Sequence, residues 1–229
     1  MPGPYGIQGV VMGRFLALLA LAPALAGCVI GERPLVVPDD REAVVMVLST
    51  DLLEAMGAVG RHSWIAARER GAREFTRYEV LGEAERFVGD PFTSNAGEDV
   101  RLHAVLRGAD AEAAIPCIER ELVLYNKEES YGFWPGPNCN TFVERVARHC
   151  GIHVDLPATA VGRDYRGIVG ASTTSGGTGV QFESVVFGLK IGLTEGIEIH
   201  LFGLAFGFDA WPPAIIVPLG PGRIGFDDR

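Results

Sequence analysis

Gly136-Pro137-Asn138-Cys139-Asn140-Thr141-Phe142 runs straight into Val143-Glu144-Arg145-Val146-Ala147-Arg148-His149-Cys150, so Cys139 stands where a loop becomes an amphipathic helix. A helix over 140–150 places Phe142, Val143, Val146, Ala147 and Cys150 on one side, with Cys139 at the edge of that stripe and Gly151 as the stop. The first turn of a helix carries unpaired backbone N–H groups and the positive end of the macrodipole, and both favour a thiolate over a thiol. Such a thiolate needs a base. The best candidate is His62 in Arg61-His62-Ser63-Trp64-Ile65-Ala66, which reads as the start of a half-buried strand.

A third group must orient the base. Residues 62–68 and 74–81 alternate as two strands around Glu69-Arg70-Gly71-Ala72, a hairpin. A turn centred on Arg70-Gly71 sets His62 directly opposite Glu79, and a one-residue slip would break the pair. The catalytic reading is therefore Cys139 as nucleophile, His62 as base and Glu79 as orienting acid. The Cys139 backbone N–H, with the Asn138 or Asn140 side chain, would hold an oxyanion. His103 is a reserve orienting residue. The plainer reading is a strand-end histidine, a solvated glutamate and a buried cysteine.

The remaining pattern predicts an α+β domain, an antiparallel sheet with packed helices. Ala43–Leu48 reads as a buried strand and Asp90–Gly97 as a loop. Val100–Leu106 reads as a strand with Val100, Leu102, Ala104 and Leu106 on one face. Asp110 is placed to cap a helix reaching Tyr125, and the aromatic, proline-rich Tyr131–Pro137 makes a rigid approach to Cys139. Most of the excess in the 30 glycines falls after Ala160. There Phe187–Leu193 and Phe202–Phe208 echo each other fifteen positions apart, a β-hairpin extension. Pairing Leu193 with Ile197 would set Phe187 over Gly203 and Phe202 over Gly188, aromatic rings covering cross-strand glycines. A second reading is a membrane-facing surface, because these strands expose few charges.

Phe15–Ala26 is apolar, preceded by Arg14 and followed by Gly27-Cys28. It resembles the signal peptide and lipobox of a bacterial lipoprotein, with Cys28 as the lipidated residue and Met12 as an alternative start. An uncleaved span fits less well, since Phe15–Ile30 falls short of roughly 20 residues and contains Pro23. The organisation is then a signal peptide over 1–27, a tether over 28–41, the α+β domain over 42–167 and a glycine-rich β extension over 168–229. The expected location is the cell envelope, with the membrane as partner through the lipid. Cys139 and Cys150 lie eleven positions apart on one helix, about 16 Å, too far to bridge. A disulfide, if formed, joins Cys117 to Cys150; the simpler reading is two small buried hydrophobic side chains. His149 and His153 flank Gly151, which ends the helix between them, so neither a metal nor a cofactor is expected. A net charge of −9 without a basic cluster excludes nucleic acid as a partner.

The stretches His62–Ile65, Tyr78–Val80, Trp134–Phe142 and Glu195–Gly203 resemble a bacterial family of unknown function, number 3750, over roughly Val44 to Phe226. Asn138-Cys139-Asn140-Thr141-Phe142 is also similar to the cysteine segments of circularly permuted papain-like proteins, the NlpC, PPPDE and lecithin retinol acyltransferase relatives. In that group the histidine strand precedes the cysteine helix. The resemblance implies a permuted papain-like fold with His62 as base, Cys139 as nucleophile and Glu79 as orienting group. It further implies a thiol hydrolase, a cysteine peptidase or amidase, or an acyltransferase, acting on peptide or acyl substrates of the envelope. Thr141 departs from the motif, which commonly has a histidine there. The alternative is a non-catalytic envelope lipoprotein that binds a peptide, a lipid or a protein.

Overall fold

The structure is a computed structural model that describes residues 42–52, 60–93, 99–210 and 212–226. The expected signal peptide, Cys28 and the whole tether lie outside the described residues. The first sheet contains β1 (Val44–Asp51), β2 (Arg61–Arg68), β3 (Phe75–Val80), β4 (Ala84–Gly89) and β5 (Arg101–Arg107), in the order β4-β3-β2-β1-β5. All its pairings are antiparallel. The inner strand β1, between β2 and β5, is a run of apolar residues because both its faces are covered. Val45, Val47, Ile65, Ala67, Tyr78 and Val80 pack under two helices. Val44, Met46, Leu48, Trp64, Ala66 and Phe75 pack on the opposite face, with Phe92 and Val100 against them. A bulge at Val47/Leu48 breaks the alternation of β5, so Leu102 joins the second face while Ala104 and Leu106 join the first. The expected single apolar face of that strand is thereby corrected.

Helix α1 spans Gly108–Glu128 and α2 spans Cys139–Cys150. Asp110 does not cap α1. The cap residue is Arg107, which makes no side-chain bond, and Asp110 lies in the first turn, where its charge faces the positive end of the dipole. Gly151 ends α2 in the left-handed conformation, as expected. A disulfide joins Cys117 to Cys150 with their Cα atoms 5.6 Å apart. The reading of two separate buried side chains is thus wrong; α1 and α2 pack side by side and bring the thiols together. Cys139 is left as a free cysteine.

The second sheet is a seven-stranded antiparallel meander, in the order β12-β11-β10-β9-β8-β7-β6. Its strands are β6 (Val169–Thr173), β7 (Gly179–Ser184), β8 (Phe187–Gly192), β9 (Gly196–Leu201), β10 (Leu204–Ala210), β11 (Pro213–Ile216) and β12 (Arg223–Gly225). The expected aromatic cover over glycine is not what forms. Gly192 pairs with Gly196, which shifts the register so that Phe187 faces Leu201 and Gly188 faces His200, while Phe202 sits in the following turn at φ 51°. The glycines instead leave room for buried charge. A Cβ at Gly188 would strike the Glu183 carboxylate and one at Gly207 the Glu198 side chain.

The inner face of this sheet therefore carries Gln181, Glu183, Lys190, Glu198, His200 and Asp209, all buried. The 155–166 connection supplies their partners. Arg163 pairs with Glu198 and, at 2.9 Å, with Asp164, and Lys190 Nζ lies 3.0 Å from Glu198 and 3.2 Å from Asp164. Arg166 pairs with Glu144 of α2, which ties the second sheet to the helix that starts at Cys139. Among the described residues, no helix is long and apolar enough to cross a membrane.

Candidate active site

Asn138 makes the start of α2. Its side-chain Oδ1 accepts from the Asn140 and Thr141 N–H groups, and the Thr141 hydroxyl oxygen accepts from the Asn138 N–H, a capping box with threonine in the fourth position. Gly162, at φ 93°, lets the Asn138 side chain lie where a Cβ would collide with it. Tyr125 Oη donates to the Asn138 carbonyl at 2.9 Å and fixes the cap from α1. The Asn140 amide donates at 2.8 Å to both the Arg61 and Val161 carbonyls, clamping the first turn of α2 against the start of β2. Strand β3 pairs with β2 only over Ile65–Ala67, so beside His62 the helix start meets a stretch of β2 that β3 has left.

There the Cys139 sulfur meets His62. Burial disfavours the charged ring, but hydrogen bonds to Cys139 and Glu79, and the negative charge at both, outweigh it and raise the His62 pKa from 6.5 to about 9. His62 Nε2–H donates to Glu79 Oε1 at 2.6 Å, and Arg77 lies 3.4 Å from the other carboxylate oxygen. The hairpin register differs from the expected one. Ile65 faces Tyr78, so by continuation Glu79 lies opposite Trp64, two residues from His62. A two-residue shift preserves the face of a strand, and the diagonal spacing is within reach of a glutamate and an imidazole. The His62 and Trp64 rings stack with centroids 6.0 Å apart on that same face.

Cys139, His62 and Glu79 are brought together; the asparagines do something other than bind an oxyanion. Asn138 Nδ2 donates to the Phe133 and Val161 carbonyls, and both Asn140 bonds are internal. The Cys139 N–H is the first-turn donor that the cap does not take. His103 stands away from the histidine it might have oriented, with Nε2 2.7 Å from Ser49 Oγ. His149 contacts Glu121 at 2.9 Å and His153 contacts the Gly176 carbonyl.

Arg77, Tyr125 and Tyr131 were not singled out from sequence. The alternation of β3, which puts Arg77 and Glu79 on one face, could have found the first. Burial, then the charge at Cys139, pushes the Tyr131 hydroxyl up, placing this half-exposed ring in the electrostatic range of the sulfur. The three central side chains are enclosed, at 8% exposure for Cys139, 2% for His62 and 1% for Glu79.

The span from Glu42 to Tyr165, which contains all three, matches a family model described as "Protein of unknown function (DUF3750)". The chain belongs to the DUF3750 family. The match over residues 42–165 takes in the first sheet and both helices, and ends before β6 rather than reaching Phe226. No curated protein and no solved structure matches the chain.

Within this DUF3750 chain one group of described residues has cation-ligand geometry. Asp164, Glu183 and His200 offer atoms within 4.8 Å of one another. Lys190 and Arg163 already neutralise Asp164, and His200 is held by Glu183, so the group works as an ion-pair network.

Proposed function

We propose that the protein is a thiol hydrolase or acyltransferase that cleaves an amide or ester through a Cys139 thioester. The observation that carries this reading is a free cysteine at the first position of a helix, hydrogen-bonded to a histidine whose Nε2 is held by a buried glutamate. Sulfur attacks the substrate carbonyl and the thiol proton resides on His62. The oxygen of the tetrahedral adduct is stabilised by the Cys139 N–H and the helix dipole. His62 then gives its proton to the leaving amine or alcohol as the C–N or C–O bond breaks. Water or an acceptor alcohol, deprotonated by His62, cleaves the thioester and restores the thiol. Glu79 stabilises the imidazolium at each step.

The order of a histidine strand, an acid on the next strand and a cysteine helix supports a permuted papain-like arrangement. The Cys117–Cys150 disulfide supports residence in an oxidising compartment. That agrees with export, lipidation at Cys28 and an envelope peptide or acyl group as substrate. The burial of the three side chains favours a second reading, in which the trio is a structural polar core and the protein is a non-catalytic binding lipoprotein.

Iodoacetamide alkylation of Cys139 between pH 4 and 9 separates the two. The first reading expects fast alkylation below pH 7 that slows about tenfold or more in His62→Ala. Slow alkylation that follows an ordinary thiol and ignores His62 selects the second.

A further inference from the structure

The second sheet is apolar on the side away from the rest of the molecule. Val180 and Phe182 on β7, Ile191 on β8 and Ile197 and Ile199 on β9 are 44–65% exposed, and Phe206 and Phe208 on β10 are 45% and 53% exposed. No outward position among the described residues of β7 to β10 carries a charge; Glu183, Lys190, Glu198, His200 and Asp209 all point inward and are buried. A sheet ordinarily turns such a face toward a second layer. Among the described residues, the layer that packs on this sheet lies on its ionic side.

The extent of the face decides how much cover it needs. Seven strands of three to seven residues, at about 3.3 Å per residue and about 4.8 Å spacing, give a footprint of roughly 600 Å². That is at the upper end of the roughly 300–600 Å² of the largest apolar patch on a typical monomer, and about three quarters of the ~800 Å² per partner of a stable interface. Its composition is valine, isoleucine, leucine and phenylalanine, the make-up of a sandwich core. Tryptophan and tyrosine, which favour the bilayer interface, do not occur among its exposed strand residues.

We infer that this face is covered by the same face of a second copy of the chain, the two sheets packing as a β-sandwich across a two-fold axis. An uncharged face can meet itself without like-charge repulsion, and an isologous contact closes after two copies. Strand β9 is the middle of the seven, so Ile199 lies near the axis and close to its own counterpart.

The test uses the full chain with Ile199→Cys, or with Phe206→Cys if the first variant does not accumulate, oxidised with copper phenanthroline. The unsubstituted chain and Val88→Cys on the exposed side of β4 serve as baselines. A disulfide-linked dimer well above both baselines is expected, with the introduced thiol shielded from a water-soluble maleimide before oxidation. A monomer whose thiol reacts freely with maleimide overturns the proposal. So does a monomer whose thiol, labelled with an environment-sensitive fluorophore, is quenched by nitroxide lipids in phosphatidylcholine vesicles, since the occupant would then be a bilayer.

Discussion

The His62 ring is where residue-level chemistry and stability meet. Its pKa is raised from 6.5 to about 9, so the folded chain keeps a proton that the unfolded chain gives up. The stabilisation is full below pH 6.5 and is lost as pH rises through about 9, with a size of about 3 kcal/mol. Denaturation of the protein at pH 6 and pH 9.5 should show that fall, and Glu79→Gln should flatten it. Glu79→Gln keeps an acceptor oxygen for the ring but removes the charge. An NMR titration of His62 in that variant is expected to give a pKa below the parent value; an unchanged titration would show that Glu79 does not govern the ring.

At the scale of elements, α2 depends on its cap and on its covalent link to α1. Asn138→Ala removes the Oδ1 acceptor and the donor to the Phe133 carbonyl, while the Val161 carbonyl keeps its bond from Asn140. A loss of about 2 kcal/mol is expected in urea denaturation, at the upper end for an N-cap, together with slower Cys139 alkylation because the helix start loosens. Breaking the Cys117–Cys150 bond, which closes a 33-residue separation, should cost about 3–4 kcal/mol. A Cys117→Ser/Cys150→Ser double variant reads this out. Its alkylation profile should keep the parent's pH dependence, because the bridge lies at the far end of α2 from Cys139.

For the whole molecule, the ionic layer is the joint between the two sheets. Lys190→Met would leave Asp164 and Glu198 short of a cation while the pairs that Arg163 and His200 make with Glu198 remain. A loss of about 3–5 kcal/mol is expected, the usual cost of breaking a buried pair from one side. A stability change within about 0.5 kcal/mol, the range of ordinary surface substitutions, would mean that the layer does not hold the sheets together.

Local chemistry was readable in the chain itself. The Asn-Cys-Asn-Thr run encodes a helix start within four residues, Gly151 encodes its end, and strand alternation put His62 and Glu79 on one face whichever even register the turn selected. The short strand β4, with Glu85 and Arg86 exposed, had no apolar pattern to reveal it. The glycine echo showed that something was repeated but not what the missing side chains made room for. Only tertiary packing decided that Cys139 meets His62, that Cys117 meets Cys150, and that the second sheet buries its charges. These contacts join residues far apart in sequence, and their energies come from burial and pairing with partners that no local window contains.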